Sequence, residues 1–435
     1  MSEDLVEPKL DHPDASIRLA SAVHRFYVPQ IRRPVSFVSS FKTASASFAN
    51  TRTAMKQADT YRNNLETALA ATVVSGERVY TDATRYVPYI SQLLLTCKVQ
   101  PEVARLDERL LFEWSSGVEV STTTANKTST LPPTYTSEAL MYDVVMTMAC
   151  QALGKAASAT EASIAGDFAA ANREYNTAAG IFQFLYTDHL PKWIAKGSNV
   201  NDATLPTECN VGACEALTEL FLANAQQMAV AMILVKPGKP NYGLVAKLCL
   251  GISERLQLVC SILRKKSFSQ MGRMGKDVFA LIAFQTTLHG SLSNYFYARS
   301  LWDDKQDYGL AIAFLSDATL ALNTRAHAGT AGMVEIPRAS PLQALVKDLT
   351  DLKAHMALLL KHWEVDNSHI YFEKVPQRVP EEDKLAAGIQ LNKAVLYQMD
   401  NVDPLPLSIP EGALQRSDSD LARELQDEVN REYTA

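Results

Sequence analysis

From residue 136 to residue 363, apolar side chains recur at helical spacing and almost nothing reads as a strand. This is the feature that most limits what the chain can fold into. The pattern divides into amphipathic segments at 137–158, 161–187, 205–235, 241–266, 273–303, 307–323 and 340–363. The connections are short and often carry Gly or Pro, as in Pro237-Gly238-Lys239-Pro240. Helices with no sheet among them must bury their apolar stripes against one another, so the expected architecture is a bundle or an α-solenoid. One piece has the character of a tetratricopeptide hairpin. Tyr295, Phe296, Ala298 and Trp302 lead through Tyr308-Gly309 into Ala311, Ile312, Leu315 and Ala318, with small residues at close-approach positions and aromatics filling the gap. No sustained 34-residue period accompanies it, which favours a solenoid-like core over a regular array.

Outside this stretch the pattern changes. Residues 1–15 look loose, and 26–41, with prolines and alternating apolar positions, suit a short extended segment. A helical pattern follows from about 42 to 99, with Phe41, Ala44, Phe48, Met55, Ala58 and Tyr61 in the first part, Tyr80 to Cys97 in the second, and Pro101 as the stop. Leu110 to Trp114 reads as a strand, and 121–134, rich in Ser, Thr and Pro, as a loop. Past Trp363, residues 365–376 read as a helix stop and then an extended segment pinned by Ile370, Tyr371 and Val375. Residues 400–412 are proline-rich, and 417–434 suit a short helix with Leu421, Leu425 and Val429 on one stripe of a charged tail. The expected organisation is a loose segment at 1–24, a domain at 25–412 and a charged tail at 413–435.

Hydrophobic residues at 47% and charged residues at 21% are enough for a large core. A net charge of −6 argues against bulk nucleic-acid binding, which needs a positive field. Local basic clusters occur at Arg32-Arg33 and at Arg264-Lys265-Lys266 with Arg273 and Lys276. They are either solvated loops or surfaces for an acidic partner or an anionic membrane. Cys97, Cys150, Cys209, Cys214, Cys249 and Cys260 lack metal-site spacing and fit a reducing compartment without disulfides. The acidic start has no signal-peptide core, and the apolar run from Met228 to Val235 is about half a bilayer span, so a cytosolic protein is expected.

No dinucleotide fingerprint, phosphate loop or nucleophile elbow is present. The histidines are dispersed. His355 and His362 share a helix face without a carboxylate at a ligand offset, and Asp188-His189 are neighbours that should not face one another on a helix. The reading is a non-enzyme with no metal, cofactor or small-molecule substrate.

The informative chemistry is hydrophobic. In 241–266, Val245, Cys249, Ile252, Leu256, Val259 and Leu263 form a clean core stripe. Leu244 and Leu248 lie off it, on a flank that continues through Gly251 and Arg255. Two leucines there either widen the core or line a groove for a partner helix read at i and i+4, and periodicity leaves both open.

Five segments in order carry a resemblance to a known family. They are Phe112-Glu113-Trp114; Tyr175, Ala178, Gly180 and Phe182; Leu222-Ala223-Asn224-Ala225-Gln226; Ala246-Lys247-Leu248; and Val365-Asp366-Asn367-Ser368-His369-Ile370-Tyr371-Phe372-Glu373-Lys374-Val375-Pro376. The last is similar to the family's Asp-Asn-Asp-x-Ile-Tyr-x-x-x-Val-Pro signature, with Ser368 in place of the second Asp. The chain so resembles the Alix- and Brox-like BRO-domain family of ESCRT-associated proteins, in a short form of little more than that domain.

The resemblance implies a mainly α, boomerang-shaped BRO domain with a tetratricopeptide-like helical solenoid core and a small N-terminal β-sheet. It implies a concave apolar groove for the C-terminal amphipathic helix of an ESCRT-III subunit, with the protein cytoplasmic and recruited to endosomes, where it associates peripherally with the membrane. The groove's aliphatic contacts fall on Leu244 and Leu248. An aromatic contact falls on Ala229, Met232 belongs to the same set, and a basic position falls on Ala169 with Arg173 one turn later. Tyr371 matches a phosphorylated tyrosine. The departures at Ala229 and Ala169 keep a second expectation in play, a signalling scaffold on the same fold with a different peptide ligand, rhophilin-like or pH-signalling-like. The chain also lacks a C-terminal lipidation cysteine.

Overall fold

Four of the long helices begin where a polar side chain accepts a first-turn amide that has no partner inside the helix. Ser75, Asp167, Asn210 and Asn241 accept from the amides of Arg78, Ala170, Ala213 and Leu244 respectively, three residues on in each case. The computed structural model describes residues 12–120, 132–194, 204–323 and 341–409. Its elements are, in order, α1 (Asp14–Ala20), β1 (Gln30–Ile31), α2 (Phe37–Ser40), α3 (Ala49–Leu69), α4 (Gly76–Val99), β2 (Phe112–Ser115), β3 (Thr134–Ser137), α5 (Leu140–Ile164), α6 (Phe168–Phe184), α7 (Leu190–Ile194), α8 (Val211–Val235), α9 (Tyr242–Lys266), α10 (Phe268–Met271), α11 (Lys276–Ser300), α12 (Tyr308–Asn323) and α13 (Val346–Asp366).

The helices pack in file: α3 on α4, α4 on α5, α5 on α6, α6 on α8, α8 on α9, α9 on α11, α11 on α12 and α12 on α13. Each long helix touches the one before it and the one after it, which is a solenoid. The middle helices are enclosed on most sides. α8 is long and apolar enough to cross a bilayer by length and composition, so its apolar run exceeds the sequence-based expectation, but it is mostly buried among its neighbours. A three-stranded antiparallel sheet, in the order β1-β2-β3, pairs Ile31 with Trp114 and Trp114 with Tyr135.

A buried ion pair ties the sheet to the first helices. Arg62 and Asp143 are both fully enclosed, and Asp143 also accepts from the Tyr86 hydroxyl at 2.6 Å and the Trp114 indole at 2.8 Å. Buried charges of this kind persist when they are paired and hydrogen-bonded.

Four expectations need correction. The segment 1–24 is not loose throughout: α1 packs on α8, α11 and α13, with Leu19 and Ala20 fully buried, and at seven residues it is too short to show a periodic stripe. The extended reading of 26–41 fails in its last part: β1 lies inside it and no helix interrupts 26–36, but 37–40 turn helical. β3 begins at the end of the expected loop. Beyond Trp363 the helix runs on to Asp366 and through a wide π-turn to Tyr371, where Phe372 adopts a left-handed conformation. Ile370 and Val375 are exposed there and pin nothing. Asn367 does the anchoring: its side chain donates to Glu373 O and accepts from Glu373 N. The expected tail helix at 417–434 and most of the 121–134 loop lie outside the described residues.

One element was not anticipated at all. Residues 384–408 run extended across one face of the solenoid, from α9 to α3. The helices read this strap mainly through polar side chains that bond its backbone. Glu254 accepts from Gly388 N, Gln226 bonds Ile389 O and Leu391 N, Arg255 donates to Asn392 O, Thr96 accepts from Leu405 N and Thr51 donates to Pro406 O. Three backbone bonds supplement them, Ile389 N to Lys247 O, Val395 N to Asn176 O and Ser408 N to Ala44 O. Glycines permit the close approach: a β-carbon at Gly180 would overlap the Val395 carbonyl, and one at Gly251 the Ile389 carbonyl.

Candidate docking surface

The predicted groove residues fall at one end of three consecutive helices. Asn172 of α6 donates to Ala225 O of α8, and Gln226 of α8 donates to Leu248 O of α9. These bonds set the level of the helices against one another. About one turn further toward the α8–α9 connection lie Ala169 on α6, Ala229 and Met232 on α8, and Leu244 on α9.

Their exposures differ. Leu244 is 39% exposed in the first turn of α9, whereas Leu248, one turn on, is 1% exposed. The expectation that both stay accessible therefore fails at Leu248. Further along the same flank the strap crosses α9 at Gly251 and Arg255, beyond Leu248 and away from Leu244. Ala229 is buried, Met232 half-buried, and Ala169 and Arg173 are exposed. Val235 is exposed at the end of α8. The strap's Ile389 and Leu391 keep part of their apolar surface in solvent beside Lys247. What results is an apolar shelf at Leu244, Met232 and Val235, with the strap along one edge. It is narrower than two stacked leucines would make it.

The rim of this shelf is basic. Arg173, Lys247 and Lys393 are exposed and make no ion pair among the described residues. A partner helix with an apolar stripe and acidic flanks matches that arrangement.

Tyr371 lies elsewhere, at the α12–α13 end. Its ring stacks on Tyr308 at 3.6 Å between centroids and meets Trp302 edge-on, while Trp302 stacks on Trp363 at 4.3 Å. Glu373 accepts from Gly309 N, so the signature segment is fastened to the start of α12.

Two readings of the histidines change. Asp188 and His189 do meet, at 3.1 Å, because the chain widens into a π-turn at Leu185–His189. His362 has a carboxylate one turn away, Asp366 at 3.3 Å, while His355 bonds the Tyr295 hydroxyl. Asp188 is also held by Lys192, and burial lowers the His189 pKa. Neither pair is joined by further ligand groups: among the described residues, no three His, Cys, Asp or Glu side chains are placed to hold a metal. All six cysteines are free.

Sequence reasoning missed a buried acidic pair. Glu208, just before α8, accepts from Gly117 N and from the Ser116 hydroxyl, and Glu119 accepts from Thr207 N, the Thr207 and Tyr135 hydroxyls and Arg273. Burial, with Glu119 nearby, pushes the Glu208 carboxyl up to about 7. The pair welds the turn after β2 to the start of α8, and it faces no open cleft on the docking side. No spacing in the sequence marks residues 119 and 208 as partners.

The model of the family described as “BRO1-like domain” matches residues 31–406. Similar solved structures include one described as “Structure basis for endosomal targeting by the Bro1 domain”, at 17% identity with a TM-score of 0.65, covering 86% of this chain and 92% of that one. A second, “ALIX BRO1 CHMP4C complex”, aligns at 16% identity and TM-score 0.63 over 86% of this chain and 95% of the other. A third, ALIX with the SIVmac239 PYKEVTEDL late domain, aligns at 15% identity and TM-score 0.65 over 94% of this chain and 54% of the other. No curated protein matches.

Proposed function

The chain belongs to the BRO1-like domain family, and on that footing we propose that it is a non-catalytic adaptor that docks the C-terminal amphipathic helix of an ESCRT-III subunit. The observation that carries this reading is the exposed Leu244, at the same end of the stacked helices as the half-buried Met232 and the exposed Arg173 and Lys247, which make no ion pair among the described residues. An ALIX BRO1 structure with CHMP4C supports the choice of partner. The apolar stripe of the incoming helix covers Leu244 and Met232, and acidic residues on its flanks meet the rim. Most of the affinity then comes from the few side chains that lose water completely, and the cations set orientation and on-rate. The adaptor acts in the cytoplasm at endosomal membranes.

The test is a titration of amphipathic C-terminal ESCRT-III peptides by fluorescence anisotropy. Wild type is expected to bind in the micromolar range, and Leu244→Asp to lose at least roughly tenfold, because a charge in the apolar contact costs more than 1.4 kcal/mol. Equal binding by both would remove the docking assignment.

Two observations favour a second reading, a scaffold for a different helical peptide: the enclosed Leu248 and the small, buried Ala229 shrink the knob-and-hole surface. Under that reading Leu244→Asp still abolishes binding, but of a peptide unrelated to ESCRT-III.

A further inference from the structure

The α9–α11 connection presents a ring to solvent. Phe268 is 76% exposed. Its neighbours are not loose. Ser267 is 2% exposed and its hydroxyl donates to Asn210 at the head of α8. Gln270 is fully buried, and its carbonyl accepts from the amides of Arg273 and Met274. The residues on either side are thus anchored inward while the Phe268 ring faces solvent. Val120, 45% exposed, lies at the same end, where its amide bonds Arg273 O and its side chain abuts Gly275.

The charges around these two apolar side chains are not balanced. Lys266 is tied to Glu215 and Arg273 to Glu119. Arg264, Lys265 and Lys276 are exposed and make no ion pair among the described residues, and one exposed carboxylate, Asp277, lies among them. In a chain of net charge −6 this is a local reversal of sign. Cations at the end of α9 also suit its dipole, but that leaves an exposed aromatic ring unexplained. A projecting apolar tip ringed by cations is unsuited to gripping a helix, which needs a trough. It matches the headgroup region of an anionic bilayer, where aromatic rings partition and each basic residue gains from the surface potential.

We propose that Phe268 and Val120, with Arg264, Lys265 and Lys276, form a contact point for an anionic membrane surface. It lies at the opposite end of α9 from Leu244, roughly 35 Å away at 1.5 Å per residue. The docking shelf therefore stays free when the tip meets the lipid, and the inference does not depend on which peptide the shelf takes.

The experiment is flotation of the full chain with phosphatidylcholine vesicles, with and without phosphatidylserine. Wild type is expected to float only with the anionic vesicles and to release at high salt. Arg264→Ser with Lys265→Ser is expected to lower partitioning about 25-fold, at about fivefold per cation. Phe268→Ser is expected to lower it roughly tenfold. Val73→Ser, which removes an equally exposed apolar side chain far from the tip, should float like wild type. All four positions are exposed, and matching thermal midpoints confirm that the variants fold. Leu244→Asp should float normally, which separates this result from the docking reading. Flotation that does not depend on phosphatidylserine, or that is unchanged in both tip variants, overturns the proposal. So does a tip that binds an acidic helical peptide and no vesicle.

Discussion

Single residues separate packing from docking on one helix. Leu244 and Leu248 have the same chemistry and lie one turn apart, yet one is exposed and the other enclosed. Leu248→Asp should destabilise the fold by several kcal/mol, since an unpaired carboxylate cannot stay charged in a core. Leu244→Asp should leave the denaturation midpoint within about 0.5 kcal/mol of wild type. Paired chemical denaturation curves check both, and similar losses in the two variants would contradict the assignment. At Asp143, substitution by Ala strands the buried Arg62 and should cost about 3–5 kcal/mol. Glu208 gives a pH signature. Its folded pKa, about 7, is raised, so its contribution to stability is fully present below the usual carboxyl range and is lost as pH rises through 7. Glu208→Gln removes that dependence. Its stability relative to wild type should climb by about 3 kcal/mol between pH 4.5 and pH 8, as read from denaturation series at several pH values. A flat difference would show that the carboxyl is not held protonated.

At the scale of elements, the helices were legible and the strap was not. A helix facing a core writes its face into a 3.6-residue period, and the expected segments 205–235 and 241–266 match α8 and α9 closely. The caps at Asn210 and Asn241 are equally local signals. The strap has no such period. Its side chains are largely exposed and its hold on the fold comes through its backbone, so Ile389, Leu391 and Val395 show no pattern that predicts what they cross. Periodicity in α9 leaves Leu248 open between core and groove, the resemblance places it in the groove, and the fold encloses it. The glycines beneath the strap provide a test. Gly180→Val should push Val395 off α6 and speed proteolysis within 384–408, while the α8–α9 hairpin stays protected from hydrogen exchange. An unchanged cleavage rate would mean that the contact does not hold the strap.

For the whole molecule, stacking in file lines up the ends of the long helices along two edges of the solenoid, so the two ends of α9 can serve different surfaces. Its acid response sums over separate sites. Burial holds His24, His289 and His355 at about 4. These pKa values are lowered, so the unfolded chain takes up protons first, and stability contributed by the neutral rings is lost as pH falls from about 6.5 toward 4. A thermal midpoint that drops over this range is expected. The central claim, that the apolar shelf at Leu244 is a docking site for a partner helix, is tested most directly by the anisotropy titration of ESCRT-III C-terminal peptides against wild type and Leu244→Asp. The account expects saturable wild-type binding that the variant loses while remaining folded. Indistinguishable isotherms from the two folded proteins would contradict it.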